Sequence, residues 1–216
     1  MARPALDPAL AERIQGVAAR DRALPLHRDL HPTLGAALQR GITVAVGGPA
    51  TQSTPATAAA LALALAAGPS AAGSWVAAVG MPDLGLVAAA ESGIALERFA
   101  LVPRPGKQWA DVVASLIDGF DVVLARPPVH LKPGVARRLV ARARERQAVL
   151  VGVGGWPEGA SMRVDARVTR WAGLGTGRDG GSGHLATIHR DLRATGRLIR
   201  ADRPVCTAGS PRVRSA

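Results

Sequence analysis

Cysteine and aromatic residues are scarce in this sequence, which contains one cysteine, two phenylalanines and no tyrosine. The single thiol, Cys206, excludes a disulfide framework and any multi-cysteine metal site, and it suits a reducing compartment. A long hydrophobic run is also missing, since the most apolar stretch, 56–67, is too short to span a bilayer. Residues 1–22 are charged throughout and have no signal-peptide core. We therefore expect a cytoplasmic protein with no metal ion and no membrane partner.

Acidic residues are few, and the charge they leave uncompensated is unevenly placed. The formal net charge is +11 at pH 7. Residues 1–125 carry nine Arg and Lys against ten Asp and Glu, whereas residues 126–216 carry eighteen against six. A basic half of this kind can serve nucleic acid, an acidic protein surface or solubility alone. Composition leaves these three alternatives open.

Short apolar segments alternate with helical patterns between residues 33 and 153. The Gly68-Pro69 pair is a helix-stop signal, so we end the second helix at residue 67. Right-handed crossovers between such strands require a mostly parallel sheet with helices on both faces, which is an α/β fold. The predicted strands are 42–46, 74–79, 99–102, 120–125 and 148–153, and the predicted helices are 33–39, 57–67, 83–92, 108–118 and 135–147.

The pattern changes beyond Gly154. Segments 162–171 and 183–189 alternate apolar and polar residues with period two, which predicts an antiparallel hairpin with one solvated face. The connection 173–183 has six glycines in eleven residues, and we expect it to be mobile. From Arg190 onward we expect incomplete order.

Three regions follow from this organisation. An amphipathic helix is predicted over residues 7–20, with Asp7 and Pro8 as its N-terminal signals. The predicted regions are an N-terminal helix and linker over 1–32, a core domain over 33–200 and a basic, flexible tail over 201–216.

The stretch 41–67 has the strand, glycine turn and helix of a nucleotide-phosphate loop, but its chemistry is missing. A working loop ends in Gly-Lys-Ser/Thr, because the lysine neutralises phosphates and the hydroxyl holds Mg²⁺. Thr54 stands in the lysine position and Pro55 in the hydroxyl position. We expect no bound cofactor. The remains of the phosphate loop are Gly47, Gly48, Thr51, Ser53 and Thr54.

The strand, GGP loop, helix and closing hairpin resemble the RecA recombinase ATPase core. They are more similar to its shortened, nucleotide-site-degenerate actinobacterial relatives, the ImuA-prime (ImuA/SulA-type) mutagenesis accessory proteins. The resemblance covers roughly residues 25–200 and implies a three-layer RecA-like core. It implies an accessory role in DNA-damage-induced mutagenesis and translesion synthesis, through a Y-family-like ImuB partner and an error-prone replicative-type polymerase. It also suggests a homo-oligomer assembled through the N-terminal helix.

The other ATPase positions that this resemblance implies lack their functional residues too. Val79-Gly80-Met81 offers no catalytic carboxylate, and Ala125 and Arg126 replace a metal-binding aspartate. Trp156 follows a Gly-Gly pair where a phosphate-sensing glutamine is expected, and Asp121 is predicted to be a surface or capping carboxylate. We predict a pseudo-ATPase without catalytic residues. The alternatives are a weak nucleotide-binding RecA paralogue with residual ATPase activity and a SulA-like cell-division inhibitor.

Arginines crowd the last predicted helix and the hairpin, with two tryptophans between them. They can form a solvated face, contact the phosphates of single-stranded DNA, or meet an acidic groove on a partner. Tryptophan and arginine also suit protein interfaces. The candidate partner- or DNA-binding residues are Arg137, Arg138, Arg142, Arg144, Arg146, Trp156, Arg163, Arg167, Arg170, Trp171, Arg178, Arg190 and Arg193.

Overall fold

The structure, a computed structural model, describes residues 23–47, 54–174, 183–197 and 207–209. Strands and helices within these ranges alternate along the chain as the apolar pattern predicts. The strands are β1 (Ala23–Pro25), β2 (Ala37–Gln39), β3 (Thr43–Val46), β4 (Val76–Val79), β5 (Phe99–Val102), β6 (Val122–Ala125), β7 (Val149–Val153), β8 (Met162–Leu174), β9 (Gly183–Gly196) and β10 (Thr207–Gly209). The helices are α1 (His31–Leu34), α2 (Pro55–Ala71), α3 (Leu86–Glu91), α4 (Trp109–Gly119) and α5 (Pro133–Arg146), with single 3₁₀ turns at Arg28–Leu30, Leu96–Arg98 and Gly106–Gln108.

One large sheet organises the fold, with the strand order β10-β9-β8-β3-β7-β6-β4-β5. The six strands from β8 to β5 run parallel, β9 is antiparallel to β8, and β10 is antiparallel to β9. The predicted parallel core and closing hairpin are therefore confirmed. The hairpin is also part of the sheet, because β8 pairs with β3 through Val44 opposite Met162.

Helices cover both faces of the sheet and make three layers. On one face α2 and the β1–β2 ribbon bury Leu61, Leu65 and Leu24 against β3 and β4. On the other face α4 and α5 bury Val113 and Leu139. The strands β3, β4, β6 and β7 are buried along their whole length, as expected for central strands of a parallel sheet.

The predicted helix 33–39 is wrong in its second half. The helix α1 ends at Leu34, Gly35 turns the chain with φ 85°, and residues 37–39 form β2 paired with β1. The short pairing register, Leu24 opposite Leu38, buries both leucines. An amphipathic pattern of three residues fits a strand as well as a helix, and the β1 partner decides between them.

The predicted end of the second helix is also wrong, since α2 runs through Gly68 and Pro69 to Ala71. A proline in the last turn removes only one backbone hydrogen bond. Pro69 and Ser70 are buried there, and the Ser70 hydroxyl accepts a hydrogen bond from the Ala95 N–H at 2.9 Å. This burial outweighs the stop signal.

The C-terminal region is more regular than predicted. Strand β9 continues past Arg190 to Gly196, beyond the predicted segment 183–189, and β10 adds a further short strand. The predicted N-terminal helix 7–20 and the residues 175–182 of the glycine-rich connection lie outside the described residues. No helix in the described ranges has the length and apolar composition needed to cross a membrane.

Candidate functional site at the carboxyl edge of the sheet and the basic half

The carboxyl ends of the parallel strands meet at one edge, where open parallel sheets bind ligands. Gly47 follows β3 with φ 65°, and its N–H donates to the Val164 carbonyl at 3.1 Å. Thr54 caps α2, because its Oγ1 accepts a hydrogen bond from the Thr57 N–H at 3.1 Å. The residue in the lysine position therefore serves the helix end. Gly48, Thr51 and Ser53 lie outside the described residues.

The end of β6 carries a cation instead of a metal-binding carboxylate. Arg126 Nη1 donates to Asp83 Oδ1 at 2.6 Å, across the gap between the ends of β6 and β4. This hydrogen bond lowers the pKa of the Asp83 carboxyl, so the pair stays ionised. A Cβ atom at Gly80 would lie 2.8 Å from the Arg126 carbonyl oxygen, which shows how closely the two strand ends approach. Among the described residues no cluster of three or more His, Cys, Asp or Glu could hold a metal ion.

A groove of about 670 Å³ opens beside this edge, at the ends of β6 and β7 and beside the first residues of β8. One wall is the connection from β6 to α5, and the opposite wall is the connection from β7 to β8. The residues that line it are Pro127, Pro128, Val129, Leu131, Gly154, Gly155, Trp156, Pro157, Arg163 and Asp165. Its volume falls within the range of ligand pockets.

The candidate contact residue Trp156 forms the base of this groove and belongs to the core. Its side chain is 4% exposed, and its ring centroid lies 6.2 Å from that of Trp109. A Cβ atom at Gly152 would fall 2.6 Å from Trp156 Cε3, so the indole lies directly on β7. In this conformation the ring holds the connection after β7 against the α4–α5 layer, and it presents no free face to a nucleic-acid base.

The arginines of α5 are partly neutralised by carboxylates from the neighbouring segments. Arg142 binds Asp118 of α4 through two bonds, Nε to Oδ1 at 2.9 Å and Nη2 to Oδ2 at 2.5 Å. Arg146 Nε lies 3.0 Å from the same Oδ1. The Arg142 hydrogen bond lowers the pKa of Asp118 and thereby preserves the pair.

The remaining three α5 arginines differ in their partners. Arg137 Nη1 donates to Glu158 Oε2 at 2.5 Å. Arg138 and Arg144 are exposed and have no ion-pair partner among the described residues. The helix therefore presents two free cations and three paired ones, which is a weaker basic face than the sequence indicates.

The hairpin separates the predicted arginine set into two faces. The side chains of Arg163, Asp165 and Arg167 share one face of β8, which we call the outer face. In the strand register Asp165 lies opposite Arg193 and Arg167 lies opposite Asp191, so charges of opposite sign alternate on the outer face.

Arg190 lies on the opposite face of the hairpin, on the side of the buried Leu192 and Ala194. It is 8% exposed, its Nε has no hydrogen-bond partner among the described residues, and burial lowers the pKa of its guanidinium. Arg170 and Trp171 belong to β8, and Arg178 lies outside the described residues. The predicted arginines of the hairpin thus do not form one continuous surface.

At the amino end of the sheet Asp121 behaves as the sequence predicts, whereas the exposure of Trp75 was not predicted. Asp121 accepts a hydrogen bond from Arg40 Nη1 at 2.7 Å and another from the Trp75 N–H at 2.9 Å, which confirms it as a capping carboxylate. Trp75 is 48% exposed and meets Phe120 edge-on at 6.0 Å. The prediction placed Trp75 inside a strand, but β4 begins at Val76, which leaves the indole outside the sheet.

The fold is that of an α/β protein with a mostly parallel sheet, in which Thr54 caps α2 and Arg126 stands at the end of β6. A model of the MT3502 N-terminal domain family matches residues 32–158, so the chain belongs to that family. The matched region comprises the parallel core through β7 and ends before β8.

The chain is also similar to a curated protein. The chain is 44% identical over 109 residues to the uncharacterized protein Rv3395c of Mycobacterium tuberculosis. The alignment covers 50% of this chain and 53% of the relative, so it spans about half the length of each.

Proposed function

We propose that the protein is a non-catalytic RecA-like adaptor of the ImuA-prime type, acting in DNA-damage-induced mutagenesis and translesion synthesis. It binds a Y-family-like ImuB partner and, through the assembly, an error-prone replicative-type polymerase in the cytoplasm. Single-stranded DNA and a second copy of the chain, docked through the N-terminal helix, are further ligands within this proposal.

The observation that carries the proposal is the Arg126–Asp83 ion pair at the carboxyl edge. Phosphoryl transfer depends on a metal ion and on groups that position water. Here a guanidinium occupies the strand end where such an enzyme needs a carboxylate, and the nearest carboxylate is paired with it at 2.6 Å. Thr54 is similarly committed to capping α2.

The order of the sheet also supports the proposal. The resemblance implies a parallel core that is closed by a hairpin, and the chain has six parallel strands followed by β9. The fold is retained, while Arg126 stands where a metal-binding carboxylate would be needed. This combination is expected for a pseudo-ATPase that works through its surface.

Two measurements test the proposal. Isothermal titration with ATP and Mg²⁺, followed by a phosphate-release assay, should give neither micromolar binding nor turnover above a protein-free blank. Co-purification with the Y-family-like partner should give a stable complex. Turnover that disappears in a Thr54→Ala variant would establish a weak ATPase instead, and a partner that never co-purifies would remove the adaptor role.

A further inference from the structure

The loop before α5 presents an apolar side chain in an unusual position. The Leu131 N–H donates to the Pro128 carbonyl at 3.1 Å, which closes a β-turn with Val129 and His130 at its tip. Val129 is 94% exposed, although turn tips favour Gly, Asn, Asp and Ser. Nothing within the described part of the fold buries this side chain.

Three prolines restrict the backbone of the same loop, which forms one wall of the groove. Pro127 precedes the turn, Pro128 is its first residue and Pro133 follows it, so three backbone φ angles are fixed. Val129 and Leu131 line the groove together with Pro157 on the opposite wall. A pre-ordered apolar wall loses little conformational entropy when a ligand binds, which favours its use as a docking surface.

The groove lining carries one cation, Arg163, and one anion, Asp165, and further charged residues lie near it. Arg163 lines the groove, and its Nη1 donates a long hydrogen bond to the Gly47 carbonyl at 3.4 Å. Lys132 follows Leu131 and is exposed, and the charge of Arg193 in β9 opposes the rise in the pKa of Asp165 that burial causes. The opposing charge is Asp165, while the nearby Glu158 is already paired with Arg137 at 2.5 Å.

We propose that this groove is the docking site for a short acidic segment of the partner protein. An apolar side chain of that segment packs between Val129, Leu131 and Pro157, and an adjacent carboxylate pairs with Arg163. This inference rests on the proposed adaptor function and locates its partner contact. It adds Val129 and Leu131 to the surface and assigns Arg163 a specific role.

The groove suits a protein segment better than a nucleic acid. Apolar side chains and a single arginine make up most of its lining, and the buried Trp156 offers no free ring for base stacking. An exposed valine and an arginine in the same groove match the apolar centre and charged rim of protein interfaces.

Variants with matched controls test this docking site. The affinity of the full chain for the full-length Y-family-like partner is measured by biolayer interferometry, together with anisotropy on labelled (dT)20. Val129→Asp changes an exposed side chain, so folding should be preserved. Its control is Val87→Asp on α3, an equally drastic change at another exposed valine, 72% accessible. Arg163→Glu is compared with Arg104→Glu, a charge reversal at an exposed loop position away from the groove.

We expect Val129→Asp and Arg163→Glu each to weaken partner binding at least tenfold, about 1.4 kcal/mol, with the two controls within twofold of the wild type. Hydrogen exchange should slow on partner binding in residues 129–132 and 154–156. If the wild type binds and all four variants bind equally, the groove assignment fails while the adaptor function stands. Loss of binding only with Val87→Asp would place the partner on α3 and overturn the inference.

Two other outcomes also decide the matter. If the groove variants lose (dT)20 binding and keep the partner, the groove is a nucleic-acid site and the inference is wrong. If the wild-type chain does not bind the partner at all, the adaptor proposal falls and the docking site falls with it.

Discussion

The contact between α2 and the β1–β2 ribbon can be tested with one methyl group. Gly68 lies in the last turns of α2, and a Cβ atom there would fall 2.4 Å from the Pro25 carbonyl oxygen and 2.9 Å from Leu26 C. Both neighbours are backbone atoms, so no side-chain rotation relieves the clash. Gly68→Ala must therefore move the ribbon away from the helix and loosen Leu24 and Leu38, which are 3% and 4% exposed.

The magnitude of the Gly68→Ala effect combines two opposing terms. Overpacking of a rigid site costs about 3 kcal/mol at the upper end of its usual range. Replacing glycine by alanine inside a helix contributes about 1 kcal/mol in the opposite direction. The net destabilisation is about 2 kcal/mol, which lowers Tm by roughly 4–8 °C for a chain of this size.

A matched substitution separates the clash from the helix propensity. Gly134 lies in the first turn of α5, and a Cβ atom there meets nothing within 4 Å. Gly134→Ala should leave Tm unchanged or raise it slightly, because only the propensity term acts. Thermal unfolding followed by circular dichroism compares both variants. If Gly68→Ala is as stable as the wild type while Gly134→Ala behaves as expected, the ribbon does not pack on α2 as described.

Three further predictions concern charges and the phosphate loop. Burial raises the folded-state pKa of Asp165 above its unfolded value, so its charge reduces stability as the pH rises through that range. Asp165→Asn should therefore raise Tm at pH 7 and lose this advantage below about pH 4. A Tm below that of the wild type at pH 7 would contradict the reasoning. The hydrogen bond from Arg142 lowers the pKa of Asp118, so the ionised pair stabilises the fold above the unfolded-state pKa and this stabilisation is lost as the pH falls. Asp118→Asn should be less stable than the wild type at pH 7 and equal to it in acid, as measured by urea titration. Thr54→Lys combined with Pro55→Ser rebuilds the missing loop residues but should still hydrolyse no ATP in a phosphate-release assay, because Arg126 remains at the end of β6.

Local patterns predicted most of the central sheet because its strands are short, apolar and separated by helical periodicity. The hydrophobic pattern of β3, β6 and β7 matches the buried strands within a residue or two. Contacts between distant segments decide the remainder. Residues 37–39 become a strand because β1 lies beside them, and α2 passes its stop signal because Pro69 is buried.

The candidate site was harder to predict because charge in a sequence does not reveal pairing. Arg142 and Arg146 look like free cations until Asp118 of α4 is placed between them. Trp156 looks like an interface residue until it folds onto Gly152. Val129 gave a weak signal, since an apolar residue directly after a Pro-Pro pair is unusual in a turn, but its exposure follows from the fold alone.

The position of β3 has a consequence for how the protein is made. Its two neighbours in the sheet are β7 and β8, which begin at Val149 and Met162, more than a hundred residues later in the chain. While the chain emerges from the ribosome, Thr43–Val46 has no strand on either side until most of the core has been synthesised. Such long-range pairing is slow and leaves an apolar edge open to aggregation. A fragment that ends before β7 should therefore be insoluble, whereas one that includes β8 closes both edges of its central strand.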